Sequence, residues 1–500
     1  MSEKSIIIIG AGLAGLSAGV YAQTNGYRAH IFEHHSKPGG VAAWWQRKDY
    51  LIDGGIHFLM GHKPGQSTCN LYSELGTAQP DTLVDMDSYG RFVDEKSGRS
   101  VEVTNDLARL ANDLKMLSPV DIRIIDELVS GALSMRGYDM GEMGLSKPPE
   151  LIGTFDKFSQ VWKMRRLVKY FTGKYAGPIS DYVQSVEDPW LRRFIENLFM
   201  PEVPVWFVFQ ILALLADGQM ALLKNGCMDF VLPIEKRFKQ LGGEVTYKST
   251  VIEIQVDGDC AAGVRLADGS RHYADIVVSA VDGYSTIYKM LGGSYVTKKI
   301  ENCYRNWELI RPTVMVSFGV NREFKGEPHL SLISLQDPIS IGSRSVPGFS
   351  LRIFNYGDKF APVGKTVVQA MFETGWDYWD GLHRDTQRYE AEKVRIAEEV
   401  LKRLERYYHG ISSQVDMTDV ATPYTTWRYT MNYKGAYMGW LPTAQNIMTQ
   451  IERTLPGLAN FYMAGQWVTP GGGVPPSLYT GRHVIQLICR QDKKPFTTIG

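Results

Sequence analysis

The stretch "SIIIIGAGLAGLSAGVYAQTNGYRAHIFEHH", residues 5–35, decides the fold. Ile6 to Ile9 form an unbroken β-branched run, suited to a strand covered on both faces. Gly10, Gly12 and Gly15 follow at GxGxxG spacing, and a helical pattern then runs to about Gly26. A second short strand, Arg28 to Phe32, ends on Glu33. Strand, glycine turn, helix, strand and acid, in that order, are what a dinucleotide site requires. The glycines let backbone approach a pyrophosphate at the helix start, Leu13 and Ala14, where the dipole is positive. Glu33 then accepts hydrogen bonds from an adenosine ribose. A glycine-rich turn with no ligand is the competing reading, and the strand–helix context together with the acid argues against it.

The rest of the chain sets broad bounds. Its 500 residues suggest two or three domains. Hydrophobic content of 44% and charged content of 22% belong to an ordinary globular protein with ample chain for a core. Formal net charge is zero and the cations form no runs, so nucleic acid is not an expected partner. Cys69, Cys227, Cys260, Cys303 and Cys489 are scattered without a CxxC pair. That pattern points to a reducing compartment and away from a disulfide framework or a metal site. No basic segment precedes a cleavable apolar one, so no signal peptide is read and a cytoplasmic location is expected.

Residues 33–61, "EHHSKPGGVAAWWQRKDYLIDGGIHFLMG", carry Gly39–Gly40 shortly after Glu33, then Asp53-Gly54-Gly55. Here the chain resembles the FAD-dependent amine-oxidase and phytoene-desaturase superfamily, which includes carotenoid isomerases. The resemblance implies that Gly39 and Gly40 approach the FAD phosphates, and that Asp53, Gly54, Gly55 and Ile56 run beside the flavin. The family places Arg after the Gly pair. Val41 stands there in this chain, with Arg47 and Lys48 as substitutes. His57 follows the Asp-Gly-Gly segment and is a catalytic candidate, with a structural histidine as the plainer reading.

Residues 224–282 read as a helix from about Asp229, a Gly242-Gly243 turn, a β-meander and a buried strand, "ADIVVSAVD". By the resemblance, the Val251 backbone touches adenine. Residues 461–486, "FYMAGQWVTPGGGVPPSLYTGRHVIQ", are similar to the phytoene-desaturase C-terminal signature. The resemblance puts Gly465 near the pyrophosphate and Gln466 where relatives carry Asp. Gly472 and Gly473 lie within the Gly471–Gly473 run, where the ring stacks on backbone. Val474 and Pro475 lead into a helix whose N–H groups face the flavin. A flexible linker is the alternative, but a well-patterned apolar helix follows.

The expected fold is α/β: a discontinuous Rossmann-like FAD-binding domain (1–65, 222–285 and 451–500) with an inserted α+β substrate domain (66–221 and 286–450). No second GxGxxG follows a strand, so no built-in NAD(P)H domain is expected. In the insertion, Val161, Met164, Val168 and Phe171 share one helical face with cations beside it. Such a helix rests on an anionic membrane or is a solvated surface helix. Residues 204–218, "PVWFVFQILALLADG", are too short to span a bilayer and read as a buried helix lining an apolar cavity, with a membrane-dipping piece as the alternative. Trp427, Tyr429, Tyr433, Tyr437 and Trp440 suggest aromatic walls, and Arg428 is a second catalytic candidate.

No Ser/His/Asp constellation, HExxH or P-loop emerges. The resemblance implies an FAD-dependent oxidoreductase acting on carbon–carbon bonds of a lipophilic polyene or isoprenoid, by desaturation, saturation or isomerisation. Two alternatives remain: a flavin amine oxidase, and a non-catalytic prenyl-protein-binding module of the GDP-dissociation-inhibitor type.

Overall fold

The computed structural model describes residues 3–139, 141, 146–449 and 451–499. A parallel five-stranded sheet runs in the order Glu244–Thr246, Arg28–Phe32, Ser5–Ile9, Ile276–Ser279, Phe461–Met463. Its strands come from the three separated segments expected to form one domain. The central strand explains the isoleucine run. Ile6 and Ile8 enter a core with helices Leu13–Thr24, Cys227–Gln240 and Val474–Gln491. Ile7 and Ile9 enter a second core beneath the antiparallel strands Val251–Asp257, Cys260–Leu266 and Arg271–Tyr273. With both faces covered, alternation is lost.

Helices Leu13–Thr24 and Val474–Gln491 lie directly against each other. Ser17 Oγ donates to the Leu478 carbonyl at 2.7 Å. A Cβ on Gly481 would strike the Ala14 carbonyl and the Ala18 amide, so glycine permits this approach. Each helix follows a strand of the same parallel sheet, so both begin at its carboxyl edge, where open α/β sheets bind ligands.

The intervening chain builds a seven-stranded sheet: Val415–Ala421, Thr313–Val320, Thr366–Glu373, Arg344–Ile353, Leu330–Ile341, Ser88–Asp94, Arg99–Thr104. It draws strands from both inserted segments, and all its pairings are antiparallel except Leu330–Ile341 with Ser88–Asp94. The long helix Thr386–Tyr407 covers one face through Tyr389, Ile396, Val400 and Leu404. Helices Leu107–Leu117, Ile122–Met135, Pro189–Asn197 and Val205–Ala216 pack around another core containing Trp190, Phe194 and Phe209. Helix Val205–Ala216 is therefore a buried helix. No helix among the described residues is long and apolar enough to cross a membrane.

One expected element is different. Val161, Met164, Val168 and Phe171 do not share a continuous helix: helix Thr154–Met164 ends, and a single 3-10 turn, Val168–Tyr170, follows. The break turns Leu167 and Tyr170 into the core and leaves Val161 and Val168 exposed.

Candidate flavin site

A cavity of about 700 Å³ lies at the carboxyl edge of the parallel sheet. Gly10, Gly12, Leu13, Ala14 and Glu33 line it from the first motif. Gly39, Gly40 and Val41 form a further stretch of wall, followed by Gly55, Ile56 and His57. Val251 contributes from the meander, and Gly465, Gln466, Gly472, Gly473, Val474 and Pro475 from the C-terminal signature. Segments more than 400 residues apart in sequence thus meet around one space.

Three expected residues do not line it. Gly15 sits inside the first helix, where a Cβ would drive into the Gly10 carbonyl, so it serves the strand–helix packing. Gly54 is packed under the Trp45 ring. Asp53 is fully buried and accepts from the amides of Cys227 (2.5 Å) and Gly55 (3.2 Å). Its carboxylate stabilises the start of helix Cys227–Gln240, where the dipole is positive, instead of facing the cofactor. Burial, reinforced by Asp53, pushes the Cys227 thiol up.

The cavity fits a dinucleotide. Gly12 caps the first helix with no side-chain hydrogen bond, and a Cβ there would stand in open space. The first amides of that helix, at Leu13 and Ala14, have no intrahelical partner and sit on the cavity wall. Glu33 Oε2 accepts from the Ala11 amide at 2.6 Å and Oε1 from the His35 amide at 2.7 Å. Each oxygen retains a lone pair for a ribose hydroxyl. Burial raises the Glu33 carboxyl above its usual range, against the pull of those two amides. Gly465, Gly471, Gly472 and Gly473 all adopt positive φ, from 48° to 106°, which only glycine takes without strain. Gln466 Nε2 donates to the Tyr437 carbonyl at 3.0 Å and pins this loop.

The second helix start departs from expectation. Pro475 and Pro476 have no N–H, and the Ser477 amide bonds back to Gly473. Of the first four positions only Val474 retains a free amide, so the helix offers one donor and its dipole, not a ring of N–H groups.

Arg428 lies outside the cavity. Helix Pro423–Thr430 turns it to the surface, where its guanidinium lies 5.5 Å from the Tyr429 ring centre, while Thr430, Met431 and Asn432 line the space. Of Trp427, Tyr429, Tyr433, Tyr437 and Trp440, Tyr437 alone reaches the cavity. Tyr433 stacks on Tyr284 at 4.0 Å, Trp440 Nε1 donates to the Trp467 carbonyl, Trp427 stacks on Tyr424, and Tyr429 meets His35 edge-on. Arg47 pairs with Asp419 at 2.7 Å and Lys48 bonds the Asp416 carbonyl, so neither replaces the arginine absent at Val41.

His57 faces the cavity and makes no hydrogen bond among the described residues. Burial, then the Arg352 charge, holds its imidazole down to about 3. It is neutral near pH 7. Asp282 also lines the cavity, and burial raises its carboxyl to about 6 against the Ser285 amide, which donates to it at 2.8 Å. It sits just past its strand's end, as Glu33 does, which is a signal the sequence carried. Lys289, from the π-helical turn Ser285–Met290, had none. Away from the glycine walls, Phe199, Met200, Trp206, Phe207, Ile211 and Met448 make the lining apolar.

A family model described as flavin containing amine oxidoreductase matches residues 13–489. The chloroplastic prolycopene isomerase of Arabidopsis thaliana is 24% identical, over 95% of this chain and 81% of its own. The lycopene-forming phytoene desaturase of a Paracoccus species is 23% identical, over 97% of each. Among solved structures, an oxidoreductase from Methanosarcina mazei matches with a TM-score of 0.62 at 15% identity, over 96% of this chain and 100% of that one. Cyclohexylamine oxidase from Brevibacterium oxydans matches with 0.60 at 14%, over 99% and 100%. At such identities the two structures establish a shared fold alone.

Proposed function

This chain belongs to the flavin-containing amine oxidoreductase family and is an FAD-dependent oxidoreductase; from that premise we propose that it acts on carbon–carbon bonds of a lipophilic polyene or isoprenoid-like substrate, by desaturation, saturation or isomerisation. One observation carries the reading: the cavity continues from the glycine cradle into a chamber walled by Phe199, Met200, Trp206, Phe207, Ile211 and Met448. Such walls bind a long apolar chain and exclude water. FAD, when bound, supplies hydride or electron transfer. The chain's own residues orient cofactor and substrate, and His57, held neutral, keeps positive charge out of that wall.

An amine substrate is less well served. An ammonium is best held by a free carboxylate; of those on the cavity wall, Glu373 is paired with Arg311 at 3.0 Å, and Glu33 and Asp282 already accept from backbone amides. The glycine cradle and the ribose acid run against a prenyl-binding module without cofactor. Anaerobic mixing of the yellow protein with polyenes and with amines is the test. Bleaching of the flavin by a polyene, or its isomerisation, is expected; bleaching by amines alone, with peroxide formed in air, would move the protein to the amine-oxidase reading.

A membrane contact at the cytoplasmic side is part of the same proposal. Helix Thr154–Met164 buries no residue, and Phe155, Phe158 and Trp162 are 81%, 68% and 60% exposed beside Lys157, Lys163, Arg165 and Arg166. Apolar side chains ringed by cations suit an anionic lipid surface. Phe171, just beyond, packs on Trp206 of the cavity wall at 5.0 Å, joining this patch to the chamber. Co-sedimentation with phosphatidylserine vesicles should fall about tenfold or more in Phe155→Ser/Phe158→Ser, since each buried aromatic contributes roughly 1.5–3 kcal/mol. Equal binding by both proteins would remove the lipid reading.

A further inference from the structure

Beside the large cavity lies a second chamber of about 180 Å³ with a different character. The two share His57, Phe58, Tyr89 and Phe199, so they adjoin across these side chains. The small chamber is lined by polar groups brought from distant elements. Arg352 comes from strand Arg344–Ile353, His329 from the turn before Leu330–Ile341, and Asn197 from the end of helix Pro189–Asn197. Ser350 and Tyr356 complete it.

Arg352 is the unusual member. It is 5% exposed, yet no carboxylate pairs with it among the described residues. Its protein partners are all uncharged: the Gln369 side-chain oxygen, at a long 3.3 Å, the Tyr356 hydroxyl and the face of Phe354. Asp53, the fully buried acid, is occupied by the amides of Cys227 and Gly55 and makes no ion pair with it. Among the described residues no Asp or Glu lines the chamber, and Arg352 is its one Lys or Arg. A buried guanidinium met only by neutral groups is costly unless something anionic completes it. The neighbouring histidines do not compete for that anion. Burial, then Arg352 itself, holds His57 down to about 3 and His329 down to about 4.

We propose that this chamber is a head-group site: Arg352 binds a carboxylate at one end of the lipophilic substrate, while the chain of that substrate lies along the large cavity. The inference rests on the proposed function and narrows its substrate class to unsaturated lipophilic monocarboxylates. One guanidinium and a small chamber match a single carboxylate better than a diphosphate.

Binding is measured by perturbation of the flavin spectrum, with no turnover required. The probes are all-trans-retinoate, its methyl ester and all-trans-retinol. Wild-type protein should bind the acid about tenfold to a hundredfold tighter than the ester, the scale of a charge-assisted hydrogen bond. Arg352→Met should erase that preference and leave ester affinity unchanged. Acid and ester binding equally to the wild type overturns the proposal, as does a variant that weakens both alike with its flavin retained. The wild-type comparison stands even where the variant does not fold. If the acid is preferred but no polyene of any kind bleaches or is isomerised, the carbon–carbon reading fails while the head-group site survives; if polyenes react without an acid preference, the reverse holds.

Discussion

Gly12 and Gly15 stand three residues apart and do opposite work. Gly12 has ordinary φ and open space where a Cβ would go, so Gly12→Ala folds normally and clashes only with a bound pyrophosphate. Gly15→Ala puts a methyl group into the Gly10 carbonyl and breaks the strand–helix unit. Purified Gly12→Ala should be colourless with an apoprotein melting temperature like wild type; Gly15→Ala should be poorly folded. Yellow Gly12→Ala protein would mean that the pyrophosphate lies elsewhere. The buried titratable groups set a pH dependence at the same positions. His57 and His329 have folded values of about 3 and 4 against 6.5 unfolded, so the unfolded chain takes up protons the native one refuses. The stability they contribute is complete above pH 6.5 and is lost as pH falls through 4 and 3. Asp282, raised from 3.8 to about 6, runs the other way: its contribution is complete below 3.8 and is lost as pH rises through 6. His329→Gln should therefore gain on wild type by about 1–2 kcal/mol between pH 7.5 and pH 5. Thermal melts at both pH values check it, and a gap that stays constant would contradict it.

The helices that begin at the cradle depend on one another. Helix Val474–Gln491 reaches backbone contact with helix Leu13–Thr24 through Gly481. Gly481→Val should push them apart and cost about 1–3 kcal/mol or more, as overpacking does. Because both helix starts are walls of the site, flavin retention should fall with it, by urea titration and absorbance at 450 nm; full flavin content in a destabilised protein would uncouple the two. Here also lies the boundary of what the sequence could tell. The cradle was legible because its parts are local signals: a glycine spacing, an acid at a strand end, a run of Gly and Pro. The seven-stranded sheet was legible only as an α+β insertion, because its pairing of Ser88–Asp94 with Leu330–Ile341 joins segments some 240 residues apart and no local pattern encodes it. Arg428 and Asp53 were misplaced for the same reason. Their residue types suit a site, but which way a short helix turns Arg428, or which helix start claims Asp53, is a tertiary fact.

Gln369 joins the flavin half of the molecule to the inserted sheet. It lies in strand Thr366–Glu373, is fully buried, and donates to the Asp53 carbonyl at 3.0 Å and to Ser317 Oγ at 3.1 Å, while its oxygen accepts from Arg352. Asp53 in turn holds the start of helix Cys227–Gln240, so one amide side chain connects the sheet carrying Arg352 to a wall helix of the parallel sheet. Gln369→Leu keeps the volume and removes every one of these bonds. It leaves a buried carbonyl and a buried guanidinium without that partner, at about 1–3 kcal/mol for each unsatisfied group, so a loss of roughly 2–5 kcal/mol is expected. Loss at a shared seam should also move the whole molecule together: far-UV circular dichroism and flavin fluorescence should shift to the same lower urea midpoint. Two separated transitions, with only the inserted domain shifted, would instead mean that the halves fold independently and that Gln369 serves its own sheet alone.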